Sequence, residues 1–357
     1  MTTPLAKILI DRITNTGPIS IADYMAECLL HPKHGYYTTR DPFGADGDFT
    51  TAPEISQMFG ELLGLCLAQS WLEQGSPKEF VLAELGPGRG TLMADVLRAT
   101  QGVSGFHTAA NITLVEASPA LTDIQRETLD GYDVNWVQTS GNIPDGPLYL
   151  LANEFFDALP IRQFIFAGEA GWRERRVGVK EDALVFGAGD AADVPALTHR
   201  VKDCREGDLV EVCAAAGAIS EDIAKQIARF GGAAIFIDYG DWRSLGDTLQ
   251  ALRGHAFDSV LAHPGEADIT AHVDFEALAV AAVSHTPVSK LIPQGELLAR
   301  LGIAQRAEVL AQGLSGEQLE THMSALKRLT DPTEMGTLFK AIALYPNGHT
   351  PPAGFSA

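Results

Sequence analysis

The stretch VLAELGPGRGTL at residues 81–92 decides the fold of this chain of 357 residues. An apolar run ends at Leu85, glycines follow at alternate positions, and a helical pattern resumes at Leu92. Glycines in such a turn let the backbone approach a nucleoside-containing ligand, and the N-terminus of the following helix faces the site. The spacing is GxGxG, whereas dinucleotide enzymes have GxGxxG and P-loops have GxxxxGK[ST]. Since no Lys follows the glycines, the turn argues against triphosphate chemistry.

Short apolar runs separated by helical stretches surround this turn. They lie at residues 80–85, 112–115, 148–152 and 233–237, with a weaker candidate at 134–137. Nearly continuous apolar runs indicate strands covered on both faces, and hence a parallel sheet with crossover helices. Residues 161–212 instead alternate between apolar and polar, which predicts an antiparallel insertion, and a last strand is predicted at 341–345.

The N-terminal part of the chain has helical periodicity. One helix is predicted over residues 5–15, and Ser20 is predicted to cap a second helix, with Asp23 as the acid of a capping box. Residues 31–53 are rich in Gly, Pro, Asp, Thr and aromatics, and such long irregular segments are usually functional. A further helix is predicted to start at Pro53.

Acidic residues follow the first two predicted strands of the core. Glu116 ends the second strand, where a carboxylate can accept hydrogen bonds from both ribose hydroxyls of a nucleoside. That acid suits NAD as well as S-adenosylmethionine. Glu84, two residues before the first glycine, favours S-adenosylmethionine, whose sulfonium and amino groups are cationic. The plainer alternative is a tight turn without a ligand, but strand, turn, helix and distal acid all occur in order.

The segment NEFFDALP at residues 153–160 follows another buried strand. Ligands of open α/β sheets bind at the carboxyl ends of the strands, so we expect Asn153, Glu154 and Asp157 to face the reactive end of the cofactor. The two carboxylates and two phenyl rings of this segment suit a binding site for a cation. The alternative for Asp157 is that it caps the next helix.

With these segments, the chain resembles the MidA family of class I S-adenosylmethionine-dependent methyltransferases. Its mitochondrial members are complex I assembly factors that methylate an arginine. The resemblance spans nearly the whole chain and includes HGYY at 34–37, GDFTTAPEISQ at 47–57, NEFFDALP at 153–160 and TAHVDF at 270–275. The glycine turn occurs in many unrelated methyltransferases, so PEISQ and NEFFDALP carry most of the specificity.

The resemblance implies an α/β fold with a Rossmann-like seven-stranded sheet, an N-terminal helical segment over the cofactor and a β-rich insertion. We expect the domains to be 1–75 (the N-terminal helical segment), 76–160 (the first half of the core), 161–215 (the insertion) and 216–357 (the second half of the core, with helical additions). The residues predicted to bind S-adenosylmethionine are Glu84, Gly86, Pro87, Gly88, Gly90, Glu116 and Asn153.

The predicted acceptor is an arginine side chain of a protein substrate. A guanidinium is always charged near neutral pH, so an enzyme must hold it with carboxylates that orient one nitrogen and accept its proton. Glu154 and Asp157 are the candidates for this role, with Glu54 as a third candidate from the loop over the site. By resemblance, the substrate is a subunit of the respiratory NADH:quinone oxidoreductase.

The charge and composition of the chain limit its partners. With 46 Asp and Glu against 26 Lys and Arg, the net charge is −20, which disfavours nucleic acid and anionic membranes and attracts a cationic polypeptide. We expect no membrane span, no secretory signal and no metal, since Pro32 and Gly35 disrupt a site at His31 and His34. The four cysteines have no CxxC spacing, which favours a cytoplasmic location. The resemblance implies the mitochondrial matrix for eukaryotic relatives.

Alternatives of other classes stay open at this point. A non-catalytic module for complex I assembly could retain the cofactor fold, although the intact Glu84, glycine turn and Glu116 argue against a dead site. A nicotinamide oxidoreductase is disfavoured by the GxGxG spacing. A homodimer is compatible with the sequence.

Overall fold

The computed structural model of the protein describes residues 3–39 and 50–357. Its α-helices are α1 Pro4–Thr16, α2 Ile21–Leu30, α3 Tyr36–Thr39, α4 Ala52–Ile55, α5 Gln57–Glu73, α6 Thr91–Thr100, α7 Phe106–Ala109, α8 Pro119–Thr128, α9 Ala214–Phe230, α10 Phe275–Val283, α11 Gln294–Arg300, α12 Ile303–Leu310, α13 Gly316–Thr330 and α14 Met335–Leu338. Its strands are β1 Ile19–Ser20, β2 Phe80–Leu85, β3 Ala110–Val115, β4 Val134–Val137, β5 Leu148–Asn153, β6 Arg162–Phe166, β7 Trp172–Lys180, β8 Ala183–Ala192, β9 Leu209–Val212, β10 Gly232–Asp241, β11 Gln250–Arg253, β12 Ala256–Asp258, β13 Asp268–Thr270, β14 Val273–Asp274, β15 Ile292–Pro293 and β16 Phe339–Leu344. Residues 40–49, which belong to the predicted irregular segment and include part of the GDFTTAPEISQ motif, lie outside the described residues.

The central sheet has seven strands in the order β15-β16-β10-β5-β2-β3-β4. Strands β10, β5, β2, β3 and β4 run parallel, whereas β16 is antiparallel to both of its neighbours. The short strand β14 adds to β10 outside this path. The predicted seven-stranded α/β sheet is therefore confirmed.

The direction of the strand order changes at β2. The chain proceeds from β2 outward to β3 and β4, and then returns to the other side of β2 with β5. In open α/β sheets, such a change leaves a crevice at the carboxyl ends of the two strands. Here the crevice lies where Leu85 of β2 pairs with Ala152 of β5, beside the glycine turn and the NEFFDALP segment.

The predicted antiparallel insertion is also present, as a sheet of β6, β7, β8 and β9. The N-terminal strand β1 joins this sheet through pairs of Ile19 with Val177 and Ser20 with Arg176. The N-terminal segment is therefore joined to the insertion by strand pairing, which the sequence did not reveal because β1 has only two residues.

A third sheet, in the order β12-β11-β13, was not predicted. Its strands have only three or four residues, which is too short for a periodic pattern. The turn between β11 and β12 places Gly254 at φ 59° and His255 at φ 60°, as a tight two-residue hairpin turn requires.

The N-terminal helices follow their predicted capping, with one correction. Ser20 and Asp23 form the predicted reciprocal capping box at α2. The helix predicted to start at Pro53 is instead two helices, because Ser56 is extended (φ −162°, ψ 136°). The Oγ atom of Ser56 accepts a hydrogen bond from the backbone N–H of Met58, so this Ser caps α5 and interrupts the helical pattern.

Two apolar clusters cover the faces of the central sheet. One packs α5, α6 and the C-terminal helices on one face, and the other packs α9 and α10 on the opposite face. None of the described helices is long and apolar enough to cross a membrane. The domain boundaries proposed from the sequence stay predictions.

Candidate active site

The three glycines of the turn after β2 have backbone angles that residues with a side chain adopt only at a cost in free energy. Gly86 has φ 59°, Gly88 φ 53° and Gly90 φ 84°, all in the left-handed region. A Cβ atom on Gly86 would lie 2.8 Å from Cδ2 of Phe155, so the ring of the NEFFDALP segment packs directly on the turn. The carbonyl of Pro87 accepts a hydrogen bond from the N–H of Gly90, which caps α6 (2.7 Å).

Two buried polar atoms beside this turn have no hydrogen-bond partner among the described residues. They are Oε2 of Glu84 and Oδ1 of Asn153, and both residues line a small cavity with Gly86. Burial raises the pKa of Glu84 to about 8, and the carboxylate of Glu116 adds to the rise. Buried polar groups without partners are costly. Both atoms are hydrogen-bond acceptors, and an ammonium group is a donor, so the chemistry of the cavity fits the amino end of S-adenosylmethionine.

Glu116 is held in place by a residue that sequence reasoning missed. Its Oε1 accepts from the N–H of Ser118 (2.7 Å), and its Oε2 accepts from Nε2 of Gln125 (3.0 Å). The same Nε2 donates to the carbonyl of Gly88 (2.8 Å), and Nε1 of Trp136 donates to Oε1 of Gln125. Gln125 is fully buried on α8 and fixes the acid relative to the glycine turn. No sequence pattern distinguishes such a Gln from any other residue within a helix, so the sequence did not indicate Gln125.

A cavity of about 400 Å³ opens between the glycine turn and Glu116. Its wall is completed by Leu29, Leu30 and Tyr37 of the N-terminal helical segment. Its remaining lining residues are Val115, Ala117, Leu121, Gln138, Thr139, Ser140, Glu154, Phe155, Ala158, Leu159 and Ile219. We call this the cofactor cavity, because its glycine backbone, its acid and its apolar walls fit an adenosine.

A second cavity of about 400 Å³ adjoins the first, and Glu154 and Tyr37 line both. The residues of this second cavity are Tyr37, Glu154, Asp157, Tyr239, Gln250, Leu252, Phe257, Asp268, Thr270, His272, Leu338 and Phe339. Three of them are carboxylic acids, so we call it the acidic cavity. The hydroxyl of Tyr37 donates to Oδ1 of Asp268 (2.9 Å) and joins the N-terminal segment to the third sheet.

The turn that carries Glu154 is organised by Asp238. Oδ2 of Asp238 accepts the backbone N–H groups of Phe155 (3.2 Å), Phe156 (2.9 Å) and Asp157 (3.2 Å). Glu154 itself has φ 51°, which is uncommon for a residue with a side chain and occurs where surrounding contacts enforce it. The alternative that Asp157 caps a helix is wrong, since β6 is the next element along the chain.

Glu154 and Asp157 both line the acidic cavity, and their catalytic role stays a prediction. Oε1 of Glu154 accepts from the N–H of Ala52 (2.9 Å) and from Nδ2 of Asn153 (3.1 Å). Burial and, to a smaller extent, the charge of Asp157 raise the pKa of Glu154 to about 7. Burial also raises the pKa of Asp157 to about 6, and its Oδ1 has no partner among the described residues. This pair of acids is therefore placed to receive a cation.

Glu54 shares a cavity with only one acid of that pair, Glu154. Its Oε1 accepts a hydrogen bond from Oγ1 of Thr91 in the first turn of α6, and it lines the small cavity beside Glu84 rather than the acidic cavity. Its proposed catalytic role stays a prediction. The acidic cavity contains residues that were not singled out, among them Asp268 and Tyr239, because strands distant in sequence bring them there.

Comparisons with known proteins agree with this geometry. The model of the S-adenosyl-L-methionine-dependent methyltransferase family matches residues 62–294. Protein arginine methyltransferase NDUFAF7 of Homo sapiens is 36% identical over 373 residues, covering 97% of this chain and 84% of the relative. The protein of the same name from Danio rerio is 38% identical over 362 residues, covering 94% and 85%.

The fold comparison leads to the same family. The crystal structure of a COG1565 superfamily member from Burkholderia thailandensis, bound to S-adenosyl-homocysteine, superposes with a TM-score of 0.83 at 29% identity and covers 96% of this chain and 91% of that one. The predicted class I methyltransferase fold and its S-adenosylmethionine cofactor are thus confirmed. The chain belongs to the S-adenosyl-L-methionine-dependent methyltransferase family that includes the NDUFAF7 proteins.

Proposed function

We propose that this methyltransferase modifies an arginine side chain of a protein substrate. The observation that carries the proposal is that Glu154 lines both the cofactor cavity and the acidic cavity. Asp157 and Asp268 supply further carboxylic acids, and the rings of Tyr37 and Tyr239 line the same space. Carboxylates bind a planar guanidinium through paired hydrogen bonds, and aromatic faces attract it. The names of the curated relatives also support an arginine acceptor.

The side chains have separate tasks in this reaction. When bound, S-adenosylmethionine supplies an electrophilic methyl group on a positively charged sulfur. Glu154 and Asp157 hold the guanidinium and direct one of its nitrogens toward the cofactor cavity, which replaces a random encounter by a fixed alignment. The same nitrogen must lose a proton, because the methylated guanidinium keeps a single positive charge. A carboxylate whose pKa is raised to about 7, as in Glu154, accepts that proton more readily than an ordinary one.

Finer proposals rest on the resemblance described above. We propose a subunit of the respiratory NADH:quinone oxidoreductase as the substrate, in line with the MidA family. The curated relatives are labelled mitochondrial, and for this chain we propose the cytoplasm, which the four cysteines without disulfides support. A homodimer stays a prediction.

The Glu154→Gln variant tests the role of the shared acid. We expect methyl transfer to fall by about 10²- to 10⁴-fold, the usual contribution of a positioned proton acceptor. The affinity for S-adenosylhomocysteine, measured by thermal shift, should stay within a few-fold of wild type. Glu169→Gln, an exposed site on the insertion, is the matched control and should change neither value. An equal loss of transfer and affinity would place Glu154 in the cofactor site instead.

The acceptor itself can be identified with labelled S-adenosylmethionine and lysate of the host. Mass spectrometry of the labelled band should find methylarginine in a subunit of the NADH:quinone oxidoreductase, and the Glu154→Gln protein should produce no such band. Label on a lysine, on a carboxyl group or on a small molecule would contradict the arginine assignment. Label on an arginine of another protein would contradict only the substrate.

A further inference from the structure

The entrance of the acidic cavity carries large apolar side chains that the core does not cover. Phe257 on β12 is 77% exposed and Leu338 at the end of α14 is 49% exposed, yet both line the cavity. Leu252 of β11 also lines the cavity and is half-buried. We call these three residues the apolar rim. Burying a phenyl ring is favourable, so an exposed one at the entrance of a cavity marks an interaction surface.

The register of the third sheet aligns the rim with an acid. Phe257 pairs with Leu252 across the hairpin, and Leu252 pairs with Asp268 on its other side. Directly paired residues of antiparallel strands lie on the same face of a sheet. A single row therefore runs from a carboxylate, through a half-buried leucine, to an exposed phenyl ring. Asp268 is 4% exposed, so the row leads from the interior of the cavity to its outside.

We propose that this row binds the polypeptide around the acceptor arginine, with a large apolar residue of the substrate on the Phe257 side and the guanidinium on the Asp268 side. The proposal rests on the proposed function and specifies the kind of substrate. The row crosses two strand spacings of roughly 4.8 Å each, a length that about three residues of extended chain cover. The substrate is thus an extended segment with a leucine, isoleucine, methionine or aromatic residue within about three positions of the arginine.

The negative charge beside the apolar rim favours an arginine-containing peptide over other apolar partners. The rim adjoins three acids of the acidic cavity, and the chain has a net charge of −20, so an anionic membrane surface is repelled. A peptide with an arginine beside an apolar residue complements both halves of the row. A second copy of this chain is the remaining competitor, and it is distinguished by the oligomeric state.

The test measures the binding of fluorescein-labelled peptides to the full chain loaded with S-adenosylhomocysteine. Each peptide consists of Gly and Ser with one central Arg, and a single Leu is placed at one of the three positions on either side. We expect the best Leu peptide to bind about tenfold tighter than the peptide without Leu. Phe257→Ala should reduce this ratio to about one, and Leu338→Ala should reduce it in part. Val280→Ala is the matched control, since Val280 is 64% exposed on α10 and does not line the acidic cavity.

Each outcome decides the proposal. It is overturned if leucine has no effect, if the ratio survives in Phe257→Ala, or if no peptide binds. A dimer that sedimentation shows to dissociate in Phe257→Ala would also overturn it, because the rim would then be a contact between copies. Repeating the series with Lys in place of Arg separates the two proposals. A leucine effect that persists with no preference for Arg supports the docking row and contradicts the arginine acceptor.

Discussion

Glu84 is expected to couple cofactor binding to the release of a proton. Its carboxyl is 3% exposed at the end of β2, and burial raises its pKa from 4.5 to about 8 in the protein without a ligand. The amino end of the cofactor is cationic, and Glu84, whose buried Oε2 has no partner among the described residues, lines the small cavity beside the glycine turn. A cation there favours the ionised carboxylate, so binding must lower this pKa.

The size of the effect follows from the two pKa values. At pH 7, a group of pKa about 8 carries about 0.9 proton, and nearly all of it is lost if binding restores the ordinary value of 4.5. The release should fall to about 0.1 proton at pH 9. By linkage, the affinity for S-adenosylhomocysteine should rise about tenfold per pH unit between roughly pH 5 and 8 and then level off.

Titration calorimetry measures this release directly. The difference between the binding enthalpies in phosphate and in Tris at the same pH is proportional to the number of protons released, because the two buffers have different ionisation enthalpies. The Glu84→Gln protein should release far fewer protons than wild type, whereas Glu169→Gln, at an exposed site on the insertion, is the matched control and should release as many as wild type. Equal release by wild type and Glu84→Gln would refute the reasoning, as would an affinity that falls from pH 6 to pH 8.

Further predictions concern stability and positioning. Without ligand, the Tm of Glu84→Gln relative to wild type should rise between about pH 4.5 and pH 8 and then level off, because an acid whose pKa is raised from 4.5 to about 8 in the folded state loses stability over that range. Gly86→Ala should lower the free energy of unfolding, measured in urea, by about 2–3 kcal/mol, since its Cβ would meet Phe155. The same change should weaken the binding of S-adenosylhomocysteine at least tenfold. Gly17→Ala, at φ 91° with nothing near the added Cβ, should lower the free energy of unfolding by only about 1 kcal/mol. Asp238→Asn should lower kcat far more than cofactor affinity, and unchanged kcat would contradict its positioning role.

The central sheet could be predicted because its signal is local and strong. Strand β2 at Phe80–Leu85 and strand β4 at Val134–Val137 have the predicted bounds, and β5 is one residue longer than predicted. Strands buried on both faces need continuous apolar runs, which a sequence displays directly. The third sheet has no such signal, since β12 exposes most of its residues and a three-residue strand has no period.

The residues of the site differ in the same way, since some lie on strands with a clear sequence signal and others do not. Glu84, the glycine turn and Glu154 lie at the carboxyl ends of strands of the central sheet, so their place at one edge could be predicted from the strand pattern alone. Asp238 acts on the NEFFDALP turn only because β10 lies beside β5, and sequence patterns do not specify which strands become neighbours. Asp268 reaches the acidic cavity through the third sheet, which was itself unpredicted.

The carboxylic acids of the site differ from those of the surface in their protonation. Burial raises the pKa of Glu84 to about 8, of Glu154 to about 7 and of Asp157 to about 6, so these groups are partly protonated in the protein without ligands near neutral pH. A cation that enters the site displaces protons, whereas a cationic substrate approaching the surface meets fixed charges that salt screens. The net charge of −20 should therefore govern the salt dependence of kcat/KM, and the three buried acids should govern its pH dependence. Raising the salt concentration should slow encounter without moving the pH profile, because the buried groups lie beyond the reach of screening ions.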